Sequence, residues 1–129
     1  MNVKELRRGV LVQDSANCFY NVVDIVADDV WIEPIIQLGF IHRFEIGIIQ
    51  PIPLTQEWLH RFGGKMNEET GVWRFNWGDN GVLFVALHQG YDQYAFKLGA
   101  WLNKPVEFVH QFQNFFFALT ETELEISND

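Results

Sequence analysis

Residues 106–119, VEFVHQFQNFFFAL, carry the most regular pattern in the chain. Val106, Val109, Phe112, Phe116 and Leu119 recur at three- and four-residue spacings, the period of one helix face. Phe108 and Phe115 widen that stripe beyond half the circumference. His110, Gln111, Gln113 and Asn114 fill the rest. Asn103 as cap, Pro105 near the first turn and Glu107 beside the positive end of the helix dipole place the helix start before Val106. A helix this apolar must be buried against another layer, so the rest of the chain is read for what covers it.

Upstream of it the chain reads as strands. Trp73, Phe75 and Trp77 alternate with Val72, Arg74 and Asn76, and a second run follows from Val82 to His88. Gly78-Asp79-Asn80-Gly81 between them is a strong hairpin signal, because Asn and Gly tolerate positive φ. Tyr94, Phe96 and Leu98 alternate in the same way. These aromatic faces predict an antiparallel sheet lying under the last helix. An aromatic sheet face can also stack bases or meet a partner protein, and packing under the helix is the simpler reading.

Between Pro53 and the polar loop 63–71 a short helix is expected. Thr55 is a good N-cap, Glu57 lies in the first turn, and Gly63 supplies the stop. Leu54 and Leu59 have the spacing of a hydrophobic staple. Two turns do not hold themselves, so Trp58, Leu59 and Phe62 must pack.

The first third is β-rich. Val10–Val12, Cys18–Val26 (CFYNVVDIV), Val30–Ile32 and Phe44–Ile52 (FEIGIIQPI) are strand candidates, separated by turn compositions such as Asp14-Ser15-Ala16-Asn17. Strands this short, joined by polar turns, suggest a meander of the kind that builds an SH3-like small barrel. Strands and helices are segregated rather than alternating, which favours α+β over a doubly wound fold. The expectation is one domain, 1–129. It has a β-rich part, 1–53, and a part holding the short helix, antiparallel strands and C-terminal helix, 54–129.

Composition bounds the chemistry. The 129 residues are 48% hydrophobic and 16% aromatic, which excludes a disordered chain. Acidic residues outnumber basic ones 17 to 9, for a net charge of −8, and this disfavours non-specific phosphate binding. No direct nucleic-acid contact is expected on that ground. Cys18 is the only cysteine, so neither an intrachain disulfide nor an all-cysteine zinc site can form. Its place at the head of a strand predicts a buried structural thiol rather than a nucleophile. The apolar runs are shorter than the roughly 20 residues of a membrane span, and the charged opening lacks a signal-peptide core. No membrane association and a cytoplasmic location follow as expectations.

Catalytic patterns are sparse. Glu57/His60 and Glu107/His110 each have the Glu-x-x-His spacing of half a di-iron site, but two further helices with glutamates are wanting. The serines, Ser15 and Ser127, fall in a turn and in the tail. Gly63-Gly64-Lys65 lacks the upstream glycine of a phosphate loop. No cofactor is expected, and no residue is assigned a catalytic or metal-binding role. His110 or His60 with a carboxylate remains the basis of an alternative, a hydrolase or metal-dependent enzyme. The binding candidates are Trp58 and the polar helix face His110, Gln111, Gln113 and Asn114. That face could equally bond loop backbone.

Three stretches carry a resemblance. They are Lys4–Gly9 (KELRRG), Ile49–Gly63 (IQPIPLTQEWLHRFG) and Val109–Leu124 (VHQFQNFFFALTETEL). In order and spacing they resemble the ELRxG, PIPLTxEWLxxFG and VHQxQNxxFALT motifs of an uncharacterised family of small proteins from Bacteroidetes and their phages or mobile elements. Arg8 and Val10 depart from that family's opening, and Glu121 stands where its glycine commonly follows the threonine. The resemblance implies no chemistry. It suggests a non-enzymatic interaction or accessory protein, phage- or mobile-element-derived, with a protein partner or a second copy as ligand. An accessory role in a nucleic-acid-processing complex is a further alternative.

Overall fold

The computed structural model describes residues 5–36, 39–77, 81–87, 94–98, 100–101, 106–124 and 126. Among the described residues, nine strands and two α-helices make an α+β chain with two antiparallel sheets. By contact density the chain divides into two compact units, residues 1–53 with 108–114 and residues 54–107 with 115–129.

In the first unit β1 (Leu11–Gln13), β2 (Phe19–Val26), β3 (Asp29–Pro34) and β4 (His42–Glu45) form a four-stranded meander in chain order. The β2–β3 turn is tight, pairing Val26 with Asp29, and Ala27 takes φ 55° there. One face of the sheet is apolar. Val10, Val12, Val22, Val30, Ile32 and Ile49 are buried together with Leu6, flanked by Tyr20, Ile25, Phe44 and Ile46. Each such aliphatic side chain, fully buried, contributes about 1.5–3 kcal/mol. The expected strand 44–52 is broken, because Ile46–Ile48 form a 3-10 turn. After it, Gln50 and Gln13 exchange backbone hydrogen bonds of 3.0 and 2.8 Å. Among the described residues that is the return segment's one β-bridge to the sheet, and the sheet is not a closed barrel.

Asp14 builds the β1–β2 turn. Its carboxylate accepts from the N–H groups of Ala16 (2.9 Å) and Cys18 (3.0 Å) and from the Tyr20 hydroxyl (2.8 Å). These bonds, the Cys18 N–H foremost and the Tyr20 hydroxyl next, hold the carboxyl below its ordinary value. The same Asp14 bond, with burial, pushes the Tyr20 phenol up to about 12. The turn also leaves Cys18 exposed rather than buried as its strand position suggested. A depressed carboxyl stabilises the fold above its ordinary titration range and loses that contribution as pH falls through the folded value. Asp14→Asn should therefore cost about 1 kcal/mol at neutral pH, the scale of one hydrogen bond. The gap from wild type should close in thermal melts at acid pH. For Tyr20 the sign reverses: stability present below pH 10 is lost as pH rises towards about 12.

In the second unit β5 (Lys65–Met66), β6 (Trp73–Trp77), β7 (Gly81–Leu87), β8 (Tyr94–Leu98) and β9 (Ala100–Trp101) are hydrogen-bonded in chain order. The hairpin register sets Trp77 opposite Gly81, and the predicted turn residues 78–80 lie outside the described set. Trp73, Phe75, Leu83 and Val85 are buried on one face, while Arg74, Val82 and Phe84 are exposed on the other. Helix α1 (Gln56–Arg61) begins and ends as its sequence directs. Thr55 Oγ1 accepts from the Trp58 N–H at 3.4 Å. At its end the Gly63 N–H donates to the His60 carbonyl and the Gly64 N–H to the Leu59 carbonyl. This is a Schellman ending, and it places Gly63 at φ 87°.

Helix α2 (Val109–Thr120) starts later than predicted. Backbone bonds with distant residues hold the preceding segment extended. Val106 exchanges hydrogen bonds with Tyr94, the Glu107 carbonyl accepts from Leu54, and Pro53 bridges Phe108. Asn103 and Pro105, the expected cap and first-turn residue, lie outside the described residues. Glu107 precedes the helix, so the Glu107/His110 pair does not share a helix face. The second half of α2 does pack on the sheet of its unit: the Phe116 and Phe75 rings meet edge to face, with centroids 6.2 Å apart.

Helix α2 ends at Thr120, before Glu121. Glu121 sits at φ 57°, the left-handed position that glycine occupies at no steric cost. Its N–H donates to the Phe117 carbonyl at 2.7 Å. Glu121→Gly should stabilise the chain by about 0.5–1 kcal/mol, read as a higher midpoint in urea with unchanged slope.

Candidate functional site: the polar face of the last helix

Four of the five predicted binding residues lie on the first turns of α2, and each has an internal task. Gln111 is three residues after Phe108, the N-cap position. Its Oε1 accepts from the Phe108 N–H at 3.2 Å, one half of a capping box.

The other three hold the segment before β1. Gln113 is 1% exposed. Its Oε1 accepts from the Leu11 N–H at 2.7 Å and its Nε2 donates to the Gly9 carbonyl at 3.2 Å. Residues 9 and 11 present this donor and acceptor on one edge of the strand, while Gly9 N–H and Val10 C=O face β2 through Val22. One side-chain amide thus stands in for a neighbouring strand at residues 9–11, beside the bridge that Gln50 makes to Gln13. Asn114 Nδ2 donates to the Glu5 carbonyl, and Arg7 donates back to the Gln113 backbone carbonyl at 3.1 Å.

His110 is 1% exposed, with its Nε2 donating to the Glu5 carboxylate at 2.9 Å. Its ring stacks on Phe108, centroids 5.9 Å apart. His110 Nδ1 and Asn114 Oδ1 are buried without a hydrogen-bond partner among the described residues. The histidine therefore does meet a carboxylate, from the N-terminal segment instead of its own helix. A base needs a substrate proton within reach, and this ring is closed off from solvent.

Trp58, the fifth candidate, is buried in the second unit. Phe62 packs on it at 5.8 Å and the Arg61 guanidinium lies 4.3 Å above its ring. Glu57 and His60 are exposed on α1. Among the described residues no three of His, Cys, Asp and Glu converge as metal ligands.

Two surface features went unread in the sequence. The first is the β3–β4 connection. Ile36 is 92% exposed, Phe40 54% and Ile41 49%, and the Glu33 carboxylate accepts from Gly39 N–H at 3.0 Å across the loop. The signal was the run Pro34-Ile35-Ile36…Phe40-Ile41, a hairpin connection built of apolar residues where polar turn formers are usual. The second is the exposed face of β5–β7, whose content depends on strand register. Comparison with protein families, with curated proteins and with solved structures gives no match.

Proposed function

We propose that the chain is a non-enzymatic interaction module whose contact is made by Ile36, Phe40 and Ile41 of the β3–β4 connection. The observation that carries this reading is the exposure of Ile36, Phe40 and Ile41 at one loop. Three large apolar side chains exposed on one connection are the composition of an interaction surface. The occupation of His110, Gln111, Gln113 and Asn114 by internal bonds supports a binding role over a catalytic one.

The partner is another protein with an apolar groove. A net charge of −8 opposes close approach of a second copy and favours a groove with a basic rim. Among the described residues no helix is long and apolar enough to cross a membrane. The resemblance to phage- and mobile-element-borne proteins supports a cytoplasmic accessory role as the setting.

The test places a photo-crosslinking amino acid at position 36 of the full chain in the producing cell. A discrete heterologous adduct is expected. The purified partner should then bind wild type at least about 30-fold more tightly than the Ile36→Asp/Phe40→Asp double variant, the scale of a hot spot. Both positions are exposed, so circular dichroism should match wild type. Adducts only between copies of the chain, or equal binding by the double variant, would refute the proposal.

A further inference from the structure

The five strands β5–β9 contain three charged residues, Lys65, Arg74 and Lys97, and no acidic one. Register aligns all three. Lys65 pairs with Arg74, Arg74 with Phe84, Phe84 with Lys97, and Lys97 with Trp101. Over Lys65, Arg74 and Phe84 the row therefore runs cation, cation, aromatic. At about 4.8 Å between strands these three span roughly 10 Å.

At its first three positions the row is a pocket. A cavity of about 450 Å³ is lined by Lys65, Arg74, Asn67, Thr70, Met66 and Phe84, among others, and among the described residues no carboxylate lines it. Phe84 is 38% exposed. Lys65 and Arg74 stand directly opposite each other, and among the described residues neither is in an ion pair. Like charges directly opposite destabilise a sheet. In a chain of net charge −8, two cations held together beside an exposed ring are what an anionic, ring-bearing ligand would neutralise.

We infer that this face binds single-stranded nucleic acid, with phosphates on Lys65 and Arg74 and an unstacked base on Phe84. The pocket's volume lies within the range of small-ligand sites, so a splayed base fits, whereas a duplex hides its bases. The run Lys65, Arg74, Phe84, roughly 10 Å across two strand spacings, is longer than one nucleotide at about 3.4 Å or more apiece, which favours a strand over a free mononucleotide. The acidic excess lies outside these strands. It sets a long-range repulsion that salt screens, so binding is confined to this one face.

The experiment uses the full chain and a labelled oligothymidylate of about 12 nucleotides, with anisotropy read between about 50 and 200 mM salt. Two phosphate contacts predict a log–log salt slope near −1.4, at about 0.7 per contact. Arg74→Gln should weaken binding and reduce the slope by about 0.7. Phe84→Leu keeps the apolar fill and the slope, and should weaken binding at least about fivefold through lost stacking. Both residues are exposed, and an unchanged melting temperature confirms that the variants fold. No binding at low salt, equal binding by both variants, or equal competition by thymidine monophosphate, duplex DNA or polyglutamate would each overturn the inference.

Discussion

Gln113→Leu is expected to lower the unfolding free energy by about 2–4 kcal/mol. The leucine fills the same space but returns neither hydrogen bond. The Leu11 N–H and the Gly9 carbonyl then stay buried without a partner, at roughly 1–3 kcal/mol each, partly offset by the added apolar burial. Against a typical total of about 5–15 kcal/mol this is a large fraction. Gln113→Glu tests the same geometry by charge. A carboxylate can still accept from Leu11 but sets its second oxygen against the Gly9 carbonyl, so it should cost at least as much. Urea unfolding measures both. Variants at Asn114 keep the strand-edge pair and should cost less, about 1 kcal/mol for one lost bond to the Glu5 carbonyl.

Phe116→Ala should cost about 3–5 kcal/mol, the range for emptying a buried aromatic site. Phe116 is 2% exposed and meets Phe75 edge to face, an arrangement worth about 0.5–1.5 kcal/mol beyond area burial. The adjacent Phe117 is 38% exposed and controls for ring loss on the same helix. Phe117→Ala should cost about 1 kcal/mol or less, since alanine is also the better helix former. If the two variants were equally destabilised, the helix would not present the face that its spacing and the Phe75 contact define.

These two residues show what was legible. Phe112, Phe116 and their spacing were readable because helix periodicity is local, and so were the Thr55 cap, the Gly63 stop and the aromatic alternation at Trp73 and Phe75. The start of α2 was not, because bonds from Val106 to Tyr94 and from Leu54 to Glu107 override the local signals of Asn103 and Pro105. The strand predicted at 44–52 failed where the 3-10 turn at Ile46–Ile48 interrupts it.

The candidate face was found, but its ligand was not. His110, Gln113 and Asn114 bond residues about a hundred positions away in the chain, between Glu5 and Leu11. No spacing rule links them. Only the fold decides between loop backbone and an external ligand for that face. Lys65, Arg74 and Phe84 are likewise unremarkable in sequence, since only strand register sets them in one row.

The central claim is that the polar face of α2 serves as a substitute strand for the segment entering β1. Amide hydrogen exchange at Leu11, followed residue by residue in wild type and Gln113→Leu, tests it most directly. In wild type the Leu11 N–H should exchange as slowly as the β2–β3 amides, because Gln113 Oε1 holds it at 2.7 Å. Gln113→Leu should speed Leu11 far more than those strand amides. Rapid exchange at Leu11 in wild type, or equal protection in both proteins, would contradict the account.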